Sequence, residues 1–157
     1  MREIKFRVWF KYKEEETLLY NDVIDYIDFE NEELWQYKGH THDCCGEVER
    51  LHEIHYFDNI ELMNYVGKDS KEKDLYEGDI VRIYENNTKG AKGVVVYDEN
   101  DKAYKVKVKV KNDYFYSFLS QLKEYVAIGN IYENKNLLEE NDWLNMLRYT
   151  KSKLKMK

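Results

Sequence analysis

The sequence predicts a mainly β protein, a β-rich α+β fold in which an N-terminal β region precedes a small antiparallel barrel and a C-terminal helix. Three observations support this fold class. Short segments alternate apolar and polar residues, as half-buried strands do. Gly, Asn and Asp separate these segments, and proline is absent from all 157 residues. Near the C-terminus the apolar residues change to a helical spacing.

The opening segment has the pattern of a half-buried strand. Its apolar side chains fall on every second residue: Ile4, Phe6, Val8 and Phe10. Lys5 and Arg7 alternate with them, and Trp9 is the exception on the polar face. Residues 14–33 then carry nine acids and no base, interleaved with β-branched and aromatic side chains that favour further strands.

The rest of the N-terminal half is predicted to hold one loop and two strands. Residues 34–48 are interpreted as an irregular loop with Gly39 and Gly46 as turn residues. Residues 51–57 and 61–66 are the strands, joined by a turn. The N-terminal β region is therefore placed at residues 1–67.

The polar stretch at residues 68–74 is predicted to be a linker or a long hairpin loop. The barrel is placed after it, at residues 75–135. Its predicted strands are 79–84, 93–97, 104–111 and 125–132, with Gly129 and Asn130 interrupting the last, while 114–124 is ambiguous between strand and helical turn. Short strands separated by turns indicate a small antiparallel barrel.

A helix is predicted over residues 136–153. Asn136 stands three residues before Glu139, as an N-cap and its capping-box partner do. Trp143, Leu144 and Leu147 gather on one side of the helical repeat, so this side is expected to be buried on the barrel or on another subunit. Residues 154–157 form a basic tail.

The charge distribution lowers the expectation of nucleic-acid binding. The net charge is −6, but the last ten residues carry five bases and no acid, so residues 1–147 have 20 bases and 31 acids, or −11. An acidic body repels phosphate, so nucleic acid would have to bind the tail or a local patch.

No apolar stretch is long enough to cross a membrane, and the two adjacent cysteines give no disulfide framework, so a cytoplasmic location is expected.

A metal site is one interpretation of the segment around residue 42. All four histidines and both cysteines lie within sixteen positions, and thiolates with imidazoles suit zinc. The candidate ligands are His40, His42, Cys44 and Cys45. Regular ligand pairs are missing, and His52 and His55 would face opposite sides of a strand. A polar loop with no metal is the favoured interpretation, and no cofactor is expected.

Two exposed surfaces are candidates for interactions. The predicted strand 104–111 places valines on one face and lysines on the other, and the candidates are Lys105, Lys107 and Lys109. These lysines could contact an acidic partner or phosphate, or could protect an edge strand from aggregation. Next along the chain come Tyr114 and Tyr116, within a run of aromatics too dense for all to face one core.

Three further stretches resemble the YopX family of small bacteriophage and prophage proteins. These are residues 1–9, residues 65–69 followed by residues 75–81 with the sequence Glu77-Gly78-Asp79, and residues 126–134 with Gly129-Asn130. The resemblance implies a phage origin, a C-terminal barrel and self-association, without a known reaction. Glu77-Gly78-Asp79 is interpreted as a turn that begins a barrel strand, as in SH3-like domains, and Gly67 and Gly78 would allow tight turns or positive φ.

The leading hypothesis is a non-enzymatic phage or prophage accessory protein in the host cytoplasm. It would form a homo-oligomer and contact an unidentified phage or host protein. No catalytic motif occurs in the sequence, which supports the expectation that it is not an enzyme. The alternative is nucleic-acid binding through the lysine face and basic tail, and a third hypothesis is a metal-dependent enzyme built on the His/Cys segment.

Overall fold

The computed structural model describes residues 5–12, 15–20, 23–42, 45, 48–85, 88–110 and 113–138. The chain divides into two compact units, residues 1–64 and 65–157. Antiparallel strands make up most of both, which confirms the mainly β class. The described residues form no helix with the length and hydropathy that a membrane span requires.

The N-terminal unit contains two antiparallel arrangements. Strand β1 lies between β2 and the first half of β6, while β4 lies between β3 and β5. The strands are β1 (Phe6–Tyr12), β2 (Glu15–Tyr20), β3 (Ile24–Asp28), β4 (Glu33–His42), β5 (Val48–Tyr56) and β6 (Ile60–Lys68). Buried Val8, Phe10, Leu19 and Leu34 form the core of this unit.

Strand β1 is buried on both faces, so the prediction of a half-buried strand was wrong. Val8 and Phe10 lie in the core as expected, but Arg7 and Trp9 on the other face are also less than one-tenth exposed. The Arg7 guanidinium contacts the sulfur of Met63 at 3.6 Å. Met63, which pairs with Arg7 across β1 and β6, is also buried, so side chains cover this second face too and the long basic side chain packs along apolar atoms.

The predicted loop at 34–48 was also wrong, because residues 33–42 form strand β4. Gly39 was interpreted as a turn residue, yet it lies inside the strand at φ 135°. The pairing of β4 with β5 shifts register between Tyr37 and Gly39. A β-bulge needs such a conformation at one position, and glycine adopts it without strain.

The C-terminal unit is a five-stranded antiparallel half-barrel preceded by a hairpin. The second half of β6 pairs with β7, and the barrel strands follow in the order β11-β10-β9-β8-β12. Their bounds are β7 (Asp74–Tyr76), β8 (Asp79–Glu85), β9 (Thr88–Asp98), β10 (Ala103–Val110), β11 (Asp113–Phe118) and β12 (Glu124–Asn130). The core includes Leu75, Val81, Val95, Val106 and Val108.

The ambiguous residues 114–124 are strand β11 followed by a 3₁₀ turn at Leu119–Gln121. This turn redirects the chain so that β12 pairs with β8, the first strand of the half-barrel. Residues 135–138 form another 3₁₀ turn. The rest of the predicted helix 136–153, with Trp143, and the basic tail lie outside the described residues.

Candidate interaction surface

The outer face of β10 and β11 carries most of the predicted interaction residues. The register pairs Lys105 with Phe118, Lys107 with Tyr116 and Lys109 with Tyr114. The alternate residues of β10, Val106 and Val108, are buried in the core. We call this outer surface the Tyr–Lys face, defined by Lys105, Lys107, Lys109, Tyr114, Tyr116 and Phe118.

Lys105 is held at one end of the Tyr–Lys face and is only 8% exposed. Its ammonium group forms ion pairs with Asp98, at 2.8 Å, and with Asp101. Hydrogen bonds to Asp101 and Asp98 raise the pKa of Lys105, and the lysine lowers the pKa of Asp98. The same ammonium lies 4.8 Å from the centre of the Phe118 ring. This lysine therefore stabilises the hairpin between β9 and β10.

Lys107 packs against the two exposed tyrosines. Its ammonium lies 4.1 Å from the centre of the Tyr114 ring and 6.0 Å from that of Tyr116. These rings are 52% and 45% exposed. A cation over a ring face is attracted to the ring quadrupole, so the lysine restrains both rings while it leaves much of their surface in water.

Strand β11 is at the edge of the five-stranded sheet, whereas β10 is paired on both sides. The lysines of β10 consequently do not protect an edge strand, and that interpretation was wrong. An edge strand has backbone N–H and C=O groups directed away from its sheet. Within the described residues, the two tyrosines thus lie on a strand that is paired on one side only.

The residues of the second and third sequence motifs build the turns beside the half-barrel. Gly78 has φ 80° and joins β7 to β8, so its predicted turn role is confirmed. The Asp79 carboxylate accepts the Tyr76 N–H at 2.9 Å, and Glu77 accepts the Tyr97 N–H at 3.4 Å. Gly67 has φ 152° at the register shift between β6 and β7.

Gly129 and Asn130 end β12 rather than interrupt it. A Cβ atom on Gly129 would lie 2.9 Å from both Asn134 Cγ and Leu137 Cδ1, so close approach favours glycine there. The Asn130 side chain is buried and accepts the N–H groups of Tyr132 and Glu133 at 3.0 and 2.9 Å. This asparagine therefore fixes the turn that follows the last barrel strand.

The family model described as YopX protein matches residues 5–139. The chain belongs to the YopX family. The X-ray structure of protein yopX from Bacillus subtilis is 20% identical, with a TM-score of 0.52 over 85% of this chain and 97% of that one. Protein EF1440 from Enterococcus faecalis is 22% identical, with a TM-score of 0.45 over 87% of this chain and 98% of that one. Among curated proteins, none matches the chain.

The similarity to the Bacillus subtilis structure is one of fold. The family-model match covers the strands of both units and ends just after the 3₁₀ turn at residues 135–138. The recognised motif residues Gly67, Glu77, Gly78, Asp79, Gly129 and Asn130 all lie in turns, bulges or strand ends of this YopX chain. The positions of these six residues indicate roles in folding.

Asp69, within the central YopX motif, was missed as a structural residue. It is 4% exposed, and its carboxylate accepts the N–H groups of Lys71, Lys73 and Ala127 at 2.8, 3.0 and 2.9 Å. Burial raises the pKa of Asp69, but these hydrogen bonds outweigh that effect and lower it overall. An acid in a polar stretch gives no sequence signal that distinguishes it from its solvated neighbours.

The candidate metal ligands are only partly within the described residues. His40 stacks edge-to-face on Tyr37, with ring centres 5.3 Å apart, and Cys45 is exposed. Cys44 and the His42 side chain lie outside the described part of the chain. Within that part, no three His, Cys, Asp or Glu side chains come together as metal ligands.

His52 and His55 lie on opposite faces of β5, as predicted. The His52 Nε2 atom is 2.7 Å from the Asp25 carboxylate, which also binds Arg50 at 2.8 Å. Hydrogen bonds from His52 and Arg50 lower the pKa of Asp25. His55 is buried, stacks on Phe10 with ring centres 4.2 Å apart, and hydrogen-bonds Gln36 at 2.9 Å.

Proposed function

We propose that this YopX-family chain is a non-enzymatic accessory protein of phage or prophage origin that acts by protein–protein contacts and self-associates through its Tyr–Lys face. The single observation that carries the proposal is the pair of half-exposed tyrosines, Tyr114 and Tyr116, on edge strand β11. Tyrosine is enriched at protein interfaces because it combines an apolar ring with a polar tip.

The Tyr–Lys face is already ordered before a partner binds. Lys107 contacts both rings, and the β10–β11 register fixes the spacing of the two tyrosines. Side chains that are restrained in the isolated protein lose less conformational entropy on association. The restrained tyrosines therefore support a protein interface more strongly than flexible aromatic side chains would.

The edge of β11 supports self-association in particular. Two copies can pair β11 with β11 in antiparallel orientation, which gives a closed dimer with two-fold symmetry. In that arrangement each copy contributes the same tyrosines to one continuous outer face. The backbone hydrogen bonds would supply affinity, and the tyrosines would supply specificity.

The charge of the face favours protein over nucleic acid. Three lysines lie there, and two of the surrounding carboxylates, Asp98 and Asp101, pair with Lys105, so the five charges sum to +1. Phosphate backbones are bound by clusters of uncompensated lysines and arginines. Only Lys107 and Lys109 remain outside these carboxylate pairs.

The test is sedimentation velocity of the full chain from low to high micromolar concentration. We expect a species of twice the 19.1 kDa chain mass, and Tyr116→Lys should raise the dimer dissociation constant about tenfold or more because it places a charge in the interface. Tyr26→Lys is the matched control, since Tyr26 is 56% exposed on another sheet. A wild-type monomer at high micromolar concentration would overturn the proposal.

Nucleic-acid binding is the second candidate, since exposed tyrosines beside Lys107 and Lys109 resemble the aromatic and basic surfaces that bind single strands. Fluorescence anisotropy with single-stranded and double-stranded DNA and RNA tests it. Binding that weakens steeply with salt and falls for Tyr114→Ala would support this candidate. Undetectable or salt-insensitive binding would remove it.

A further inference from the structure

An exposed apolar patch lies at one side of the N-terminal unit. Ile27, Phe57, Ile60 and Leu62 line a shallow pocket of about 160 Å³. Phe29 stands beside it, in edge-to-face contact with Phe57 at 5.8 Å between ring centres. Phe29 is 69% and Leu62 is 38% exposed. We call these five residues the apolar patch.

The patch is built on ordered backbone. The Phe57 N–H donates to the Glu32 carbonyl at 2.9 Å, which fixes the 3₁₀ turn at Phe57–Asn59 against the turn after β3. Asp28 accepts the N–H groups of Glu30 and Asn31 at 2.9 and 3.0 Å and so defines that turn. The pocket therefore exists before anything occupies it, as ligand pockets generally do.

We infer that the apolar patch of one copy receives the C-terminal segment, residues 139–157, of a second copy. This inference rests on the proposed self-association and extends it to a second contact. The segment carries Trp143, Leu144 and Leu147 at a spacing that would place them on one side of a helix. An amphipathic helix that lays such side chains into an apolar groove is a recurring mode of recognition.

Charge complementarity favours this segment as the occupant of the apolar patch. The last ten residues carry five bases and no acid. Exposed carboxylates border the apolar patch along the chain, at Glu30, Glu32 and Asp58. The apolar side chains and the basic end of the segment thus match both the apolar floor and the acidic border of the patch.

The residues just before the segment are attached to the half-barrel. Lys92 donates its ammonium to the Leu137 carbonyl at 2.8 Å, which fixes the chain two residues before the segment begins. Twenty residues follow Leu137. Exchange of these segments between two copies would bury two apolar patches in one closed dimer.

Photo-crosslinking of the full chain tests the inference. One copy carries p-benzoylphenylalanine in place of Trp143, and it is mixed with a ¹⁵N-labelled copy. After trypsin digestion, we expect peptide 136–148 to be joined to labelled peptide 51–68 or 14–38, which together contain the apolar patch. The control replaces Asn145, which the helical repeat places away from Trp143 and Leu147, and its yield of these products should be lower.

A variant pair in the labelled copy tests the docking position. Leu62→Glu should reduce the crosslink yield about tenfold, because it places a charge in the pocket. Leu51→Glu should leave the yield unchanged, since Leu51 is similarly exposed, at 46%, but does not line the pocket. Both substitutions fall in the same tryptic peptide, and thermal unfolding of each variant shows that it is folded.

Labelled products that contain the apolar patch and depend on Leu62 would support the inference. Unlabelled patch peptides without their labelled counterparts, crosslinks only elsewhere, or no crosslinks would overturn it. Sedimentation of the same mixture separates the two proposals. A wild-type dimer without these crosslinks overturns only the docking of the segment, whereas a wild-type monomer overturns the self-association on which it rests.

Discussion

The Asp69 carboxylate accepts a hydrogen bond from the Ala127 N–H at 2.9 Å, although the two residues are 58 positions apart. The other carboxylate oxygen accepts two N–H groups of its own turn. One buried acid thus fastens the β6–β7 hairpin to β12, the last strand of the half-barrel. Hydrogen bonds to an ionised group are stronger than neutral ones.

Replacement of Asp69 by alanine should destabilise the protein. The substitution leaves three N–H groups without their acceptor, so we expect the free energy of unfolding to fall by about 2–3 kcal/mol. Urea denaturation followed by circular dichroism measures this change. Glu49→Ala is the control, since Glu49 is exposed on β5, and it should change stability by less than about 0.5 kcal/mol. Equal effects of the two substitutions would contradict the role of Asp69.

The contribution of Asp69 should disappear in acid. The hydrogen bonds hold the folded-state pKa of Asp69 below its ordinary value of 3.8. Its stabilising effect is therefore complete above the unfolded pKa and is lost as pH falls through the folded pKa. The difference in unfolding free energy between wild type and Asp69→Asn should shrink between neutral pH and strong acid. A difference that is independent of pH would show that the charge is not involved.

His55 should make the protein less stable in mild acid. Burial lowers the folded-state pKa of His55 below its ordinary value of 6.5. The unfolded chain then binds a proton at a higher pH than the folded chain, so stability falls as pH drops below the unfolded pKa and levels off below the folded one. Unfolding free energies measured from pH 7.5 downward test this. His55→Gln should remove part of the slope, and an unchanged slope would contradict the prediction.

Gly93 should not tolerate a side chain. A Cβ atom there would lie 2.8 Å from the Lys107 carbonyl oxygen and 2.6 Å from Val106 Cγ1. Because backbone and a buried valine cannot move aside easily, Gly93→Ala should cost about 1–3 kcal/mol by overpacking. Gly129→Ala is the comparison, since its close neighbours are side-chain atoms of Asn134 and Leu137. Chemical denaturation should give the larger loss at Gly93, and the reverse order would contradict the packing described.

The sequence pattern was sufficient to locate most strands of the half-barrel. Val106 and Val108 alternate with lysines, and the structure buries these valines as predicted. The alternation of apolar and polar residues indicates which side chains lie on each face of a single strand, which is why it identified β10 correctly. It does not report on pairing partners, so the central position of β10 and the edge position of β11 became visible only in the folded sheet.

Three features required the tertiary structure. Arg7 is buried and contacts Met63 across the β1–β6 pair, 56 positions away, which no local pattern indicates. Gly39 lies at a β-bulge inside β4, although glycine also marks turns. Asp69 gains its hydrogen bond from Ala127 across a long sequence separation. The lysine face was predicted, but the pairing of Lys105 with Asp98 and Asp101, which removes most of its positive charge, was not.

Hydrogen–deuterium exchange at two protein concentrations tests whether two copies pair through β11. If two copies pair through edge strand β11, those amides of Asp113–Phe118 that point away from β10 should exchange more slowly at high micromolar than at low micromolar concentration. The amides of the central strand β9 should exchange at the same rate in both samples. Exchange of β11 that does not depend on concentration, in a sample that sediments as a dimer, would contradict the proposed interface.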